Sequence, residues 1–168
     1  MGEQFCFTCE HCHHEYAAHI GRGFGYDEIY RARIAAIKAG AYGPARQEAL
    51  NKTPGAVINA DYVLYICNSC KAWEVSTDIS LYAPNRPEDM PSKSNEKKTP
   101  IKARAVQLFR YIQKKQYFFE QYHLMRRYYH RCSRCGKRMH KASQDEMVAL
   151  PCPKCGRINQ VRESRMWD

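Results

Sequence analysis

"CSRCGKRMHKASQDEMVALPCPKCGRIN", residues 132–159, decides how the chain should fold. Two Cys-x-x-Cys turns, Cys132/Cys135 and Cys152/Cys155, stand 16 residues apart. That separation suits a compact four-thiolate zinc site, two short knuckles joined by a hairpin. Gly136 and Gly156 each follow the second cysteine of a pair. The backbone there needs a positive φ to turn its N–H groups toward the thiolates, and glycine takes that φ without strain. Cys132, Cys135, Cys152 and Cys155 are therefore expected to hold one zinc ion as a β-ribbon.

Moving toward the N-terminus, a third pair is Cys67/Cys70, and "CFTCEHCHHEY", residues 6–16, offers three cysteines at a spacing of three. A zinc knuckle needs two. Taking Cys9/Cys12 aligns this stretch with "RYYHRCSRCGKRMH": aromatic residues lead into the turn, with Phe5 and Phe7 alternating along a strand and Cys6 on its opposite face. The rival choice, Cys6/Cys9, leaves Cys12 beside His11 and His13. The expected first zinc site is thus Cys9, Cys12, Cys67 and Cys70. His13 stands where Gly136 and Gly156 stand in the last two knuckles.

The 54 residues between Cys12 and Cys67 are too many for a plain hairpin. Asp27 can cap a helix starting near Glu28, with Tyr30, Ile34 and Ile37 on one stripe and Gly40 as its stop. A short second helix is expected over 45–50. "DYVLYIC", 61–67, and "KAWEVST", 71–77, read as strands into and out of the Cys67/Cys70 turn. "APNRPEDMPSKSNEKKTP", 83–100, is a polar, proline-rich linker. After it, Ile101, Ala105, Leu108, Ile112 and Phe119 share a helical stripe. They predict a helix over 101–121, followed by a strand carrying "LMRRYYHR", 124–131, into the last ribbon. The expected fold class is α+β, with two small four-cysteine zinc β-ribbons, the first with a helical insertion, joined by a linker and a basic aromatic helix. The domains would be 1–82, 83–100 and 101–168.

Charge bears on partners. The 168-residue chain has a formal net charge of +10, unevenly placed: −3 over residues 1–92 and +13 over 93–168. Two zinc ions each held by four thiolates would bring the total to about +6. A one-sided cationic field suits an anionic partner. Mean hydropathy is −0.68, no apolar run has membrane-spanning length, and "MGEQFCFTCE" shows no secretory pattern. A cytoplasmic location without membrane attachment is expected, where spaced cysteines bind metal rather than form disulfides.

Segment 109–131 interleaves eight Phe/Tyr with six Lys/Arg and one acid, Glu120. Aromatics stack on bases and cations meet phosphates, although a small domain also buries its rings. The candidate nucleic-acid contacts, to DNA or RNA, are Lys114, Lys115, Arg126, Arg127, Arg131, Arg134, Lys137, Arg138 and Lys141. An adaptor or inhibitor docking on an acidic protein surface, such as a phage or mobile-element effector, is the alternative. Catalysis is less supported. His11, His13, His14 and His19 cluster near the first site, but four available thiolates make a closed shell with no position for water. "GRGFG", 21–25, lacks the lysine of a phosphate loop and reads as a turn. No acidic cluster suits a nuclease, and Trp73 and Trp167 read as core residues.

Residues 132–155 resemble zinc ribbons of the rubredoxin-knuckle type, found in transcription factors, ribosomal proteins and nucleic-acid enzymes. The resemblance implies a structural metal, with iron as the lesser alternative to zinc. "GRGFGYDEIYRARIAAIKAGAYG", "LYICNSCKAW" and "DISLYAP" are similar to small uncharacterised zinc-ribbon proteins of gut bacteria and their mobile elements, a likeness that implies no particular activity.

Overall fold

The computed structural model describes residues 2–23, 25–86 and 120–167. The chain forms two compact units. The first comprises Met1–Ile29, Ala60–Ile79 and Tyr128–Asp168, and the second Tyr30–Asn59 and Ser80–Arg127.

The first unit is built on a six-stranded sheet. Strands β1 (Gly2–Thr8) and β2 (Glu15–Gly21) form a hairpin around the Cys9/Cys12 turn, and β4 (Tyr62–Cys67) and β5 (Trp73–Thr77) form another around Cys67/Cys70. One pairing, Gly21↔Tyr62, joins the two hairpins. The C-terminal segment contributes β8 (Met139–Lys141), β9 (Ala149–Pro151), β10 (Ile158–Gln160) and β11 (Glu163–Trp167), with a one-turn helix α3 (Gln144–Met147) between β8 and β9. Ser143 caps α3 in a reciprocal capping box with Glu146.

Two long-range pairings give this unit its topology. β8 adds to β4, with Cys67 opposite Met139. β11 adds to the free side of β1, antiparallel from Gly2↔Trp167 to Cys6↔Glu163. The last strand of the chain thus lies beside the first.

Strand β4 explains why "YVLYIC" is apolar at nearly every position. Leu64 and Ile66 face a core with Phe5, Phe7, Ala18 and Leu150, while Tyr65 and Cys67 face a second cluster with Cys132 and Met139. A strand covered on both faces loses polar alternation. Each large apolar side chain buried this way contributes about 1.5–3 kcal/mol. The expected strands at 61–67 and 71–77 are present to within two residues. Phe5 and Phe7 are buried and Cys6 is intermediate between them, the alternation expected of β1.

In the second unit β6 (Leu81–Pro84) lies between β3 (Val57–Ile58) and β7 (Tyr122–Arg126), all antiparallel. Most of helix α1 (Tyr26–Lys38) and all of α2 (Pro44–Lys52) belong here. Asp27 lies inside the first turn of α1 rather than at its cap, and Gly25, at φ 73°, supplies the carbonyl that accepts from Ile29. Gly40 stops α1 as expected: at φ 84° it lets the Ala41 amide reach back to the Ala36 carbonyl.

Two boundaries differ from expectation. Ala83 and Pro84, assigned to the linker, finish β6, because β7 pairs with them. The strand expected over 124–131 ends at Arg126, and only an isolated bridge, Arg131↔Arg138, leads into the next knuckle. The helix expected over 101–121 and most of the 83–100 linker lie outside the described residues; Glu120 and Gln121 are helical.

Candidate metal centres

All four Cys-x-x-Cys turns share one backbone geometry. The first cysteine's carbonyl accepts from the residue after the second cysteine: His13 at 2.8 Å, Lys71 at 3.0 Å, Gly136 at 2.8 Å and Gly156 at 2.8 Å. The first cysteine's own amide donates one residue further on, to His14, Ala72, Lys137 and Arg157, at 2.8–2.9 Å. The turn-closing residue has positive φ in every case: 54° at His13, 58° at Lys71, 70° at Gly136 and 78° at Gly156. Two of the four turns thus reach this geometry without glycine.

The eight cysteines form two groups, each with its Sγ atoms within 4.8 Å of one another: Cys9, Cys12, Cys152 and Cys155, and Cys67, Cys70, Cys132 and Cys135. The expected pairings, Cys9/Cys12 with Cys67/Cys70 and Cys132/Cys135 with Cys152/Cys155, are therefore corrected. The knuckles are nested: first with fourth, second with third. The strands cause this. β11 returning to β1 carries the fourth knuckle to the first, and β8 joining β4 carries the third to the second. Hydrogen bonds brace the outer pair: Tyr16 donates to the Leu150 carbonyl at 2.8 Å and the Glu10 amide donates to Asn159 at 3.2 Å, while Trp73 Nε1, on the second knuckle's hairpin, donates to the Pro151 carbonyl at 2.8 Å. In the inner pair, Glu74 accepts from the Ser133 amide and hydroxyl at 2.8 Å and contacts His130 at 2.9 Å, and Lys137 donates to Ser69 at 3.0 Å. The helices between the first and second knuckles are consequently not an insertion within one ribbon.

Both groups fit a four-coordinate metal. Sγ separations are 3.5 Å for Cys9–Cys155, 3.7 Å for Cys12–Cys152, and 3.5 Å for Cys67–Cys135 and Cys70–Cys132. A tetrahedron of thiolates around zinc at about 2.3 Å has edges of about 3.8 Å. Electrostatics agree. The Cys12 amide, opposed by burial and helped by the His11 amide, holds the Cys9 thiol down to about 6. Cys67 is likewise held at about 6, chiefly by the Cys70 amide. Their neighbours move the other way. Although the His14 amide stabilises its thiolate, Cys12 is pushed up to about 12 by burial and the surrounding thiols, and Cys135 reaches about 12 against the pull of the Lys137 amide. Thiols packed this closely resist sharing negative charge, and a divalent cation at their centre removes the conflict.

The surroundings of the two groups differ. The inner turns, "CNSCKA" and "RCSRCGKR", carry Lys71, Arg131, Arg134, Lys137 and Arg138 and no acid. The outer turns, "CEHCHH" and "CPKCGR", carry Glu10, three histidines, Lys154 and Arg157. Among the described residues, Arg131, Arg134, Lys137 and Arg138 are exposed and have no carboxylate partner. Lys141 is different: it pairs at 2.5 Å with Asp78, whose side chain is fully buried. Arg126 and Arg127 are exposed in the second unit, and Lys114 and Lys115 lie outside the described residues. Sequence reasoning missed Lys71, whose place after a second cysteine marks it as part of the inner rim.

Among the described residues, no histidine joins a metal-ligand group. Gly23 packs against the Trp167 indole, which also donates to the Ile20 carbonyl at 3.2 Å. Ser133, Glu74 and His130 adjoin, but serine and histidine both bond the carboxylate rather than each other, which braces the turn and activates no nucleophile. Among the described residues no helix is long and apolar enough to cross a membrane. No protein-family model matches the chain, and neither does any curated protein or solved structure.

Proposed function

We propose that the protein is a non-enzymatic zinc-ribbon protein that binds nucleic acid, with two zinc ions holding the nested knuckles in place. Zinc suits a closed shell of four thiolates, whose role is to supply folding energy rather than to activate water. The observation that carries nucleic-acid binding is the cationic rim of the inner group: Lys71, Arg131, Arg134, Lys137 and Arg138 surround it without an acid in either turn. Cations carried on a metal-clamped turn are suited to phosphates, because little backbone freedom is left to lose on binding.

The test joins metal content to salt dependence. The purified protein should carry two zinc ions per chain and bind nucleic acid with an affinity that falls steeply with salt, by about 0.7–0.9 log units per log unit of salt for each phosphate contacted. Arg134→Glu, Lys137→Glu and Arg138→Glu together should abolish binding while two zinc ions remain. Unchanged binding by that variant refutes the rim as the contact surface. A second reading, docking on a protein, is favoured by Ile158 and Met166, apolar residues 70% and 57% exposed on strands of the C-terminal segment. A single stoichiometric protein partner, captured equally well after nuclease treatment, would support it.

A further inference from the structure

The cationic rim includes one aromatic side chain that folding does not explain. Tyr129 leads into the third knuckle, is 50% exposed, and lies outside the two core clusters described above. The Arg138 guanidinium lies 4.9 Å from its ring centroid. Arg138 is also the bridge partner of Arg131. Like charges directly opposite one another across an antiparallel pair are destabilising, and no carboxylate relieves this pair among the described residues. The nearby acid, Glu74, is committed to Ser133 and His130. Tyr129 and Arg138 thus place a half-exposed aromatic ring against a guanidinium, beside Arg131, whose own guanidinium donates to the Gly136 carbonyl at 3.1 Å, and none of these cations has a carboxylate partner among the described residues.

We propose that Tyr129 and Arg138 form a stacking platform for an unpaired base, so that the inner rim takes single-stranded nucleic acid in preference to duplex. This rests on the nucleic-acid binding proposed above and specifies its substrate class. A phosphate backbone satisfies the paired arginines, whether single- or double-stranded. An exposed ring gains from nucleic acid only where a base face is free, and in a duplex those faces are stacked inside. Guanidinium groups also stack on bases, so Arg138 can extend the platform.

The experiment is a fluorescence-anisotropy titration of full-length, zinc-replete protein into labelled oligothymidylate, oligouridylate and a mixed-sequence duplex of equal length. It is done at two salt concentrations with wild type, Tyr129→Ala and Tyr129→Phe, and the zinc content of each variant confirms that it is folded. Stacking one base is typically worth about five- to 150-fold in affinity. Wild type should bind the single strands about tenfold or more tighter than the duplex. Tyr129→Ala should remove most of that gap and leave duplex binding unchanged, and Tyr129→Phe should preserve the gap. If wild type binds duplex as tightly as single strands, or if Tyr129→Ala weakens neither, the platform is refuted and the rim contacts phosphates alone. If no probe binds even at low salt, nucleic-acid binding itself is refuted, and an acidic protein becomes the partner to seek.

Discussion

At the scale of the residue, the four turns form an internal control. Gly136 and Gly156 sit at positive φ with nothing within 4 Å of where a Cβ would stand, so adding a side chain costs only backbone strain. His13 and Lys71 already bear that strain. A non-glycine residue in left-handed geometry costs about 1–2 kcal/mol, partly offset because glycine loses more entropy on folding. His13→Gly and Lys71→Gly should therefore each stabilise the metal-bound protein, by about 0.5–1 kcal/mol, and Gly136→Ala and Gly156→Ala should destabilise it by a similar amount. Chemical denaturation at saturating zinc reads all four. Lys141 yields a different prediction. It was legible in the sequence as a cation and illegible as the partner of Asp78, because a buried acid 63 positions away leaves no local signal. Lys141→Met should cost about 1–3 kcal/mol, since it uncovers a buried carboxylate whose lysine partner is itself part-exposed. Nucleic-acid affinity per folded molecule should hardly change; a large loss of affinity with intact stability would put Lys141 back on the binding surface.

At the scale of the element, β11 determines the outer metal group. Its backbone pairs with β1, and Trp167 at its end fills a slot that needs glycine on two sides: a Cβ on Gly2 or Gly23 would overlap the indole. His19 meets the same ring edge-on at 5.2 Å, and Tyr62 lies 6.1 Å from it. Trp167 was read from sequence as a core residue and Gly23 as part of a turn, but nothing in either reading joined them. Trp167→Ala removes the indole and its hydrogen bond, at a cost of about 2–4 kcal/mol for a part-buried tryptophan. The loosening should fall on β11 and β1 and thus on the first and fourth knuckles. Under chelator challenge, Trp167→Ala should release its first metal ion faster than wild type and its second at an unchanged rate. Equal acceleration of both phases would mean that the two groups open as one.

At the scale of the whole molecule, the turns were legible and their pairing was not. A Cys-x-x-Cys turn followed by a left-handed residue is a local structure, written in six consecutive residues. Which turn meets which depends on strand additions between segments far apart in the chain, Gly2 beside Trp167 for the outer group and Cys67 beside Met139 for the inner. The 16-residue gap between Cys135 and Cys152 could have closed a hairpin of its own; instead it is spent on β8, α3 and β9, which send its two ends to different partners. Nested and sequential pairing make opposite predictions for double cysteine substitutions. Removing one ligand from a four-thiolate site lowers its affinity sharply, and removing two abolishes it. With nested knuckles, Cys12→Ser with Cys155→Ser damages only the outer group, and Cys70→Ser with Cys135→Ser only the inner, so each double variant should retain one metal ion. Cys12→Ser with Cys70→Ser damages both groups and should retain fewer than either. Sequential pairing reverses the pattern: the first two variants would each lose ligands from both sites, and the third would keep one site whole. Metal stoichiometry by atomic emission, on protein purified without added zinc, separates the two arrangements, and retention of one ion by the Cys12/Cys70 variant alone would overturn the nested topology.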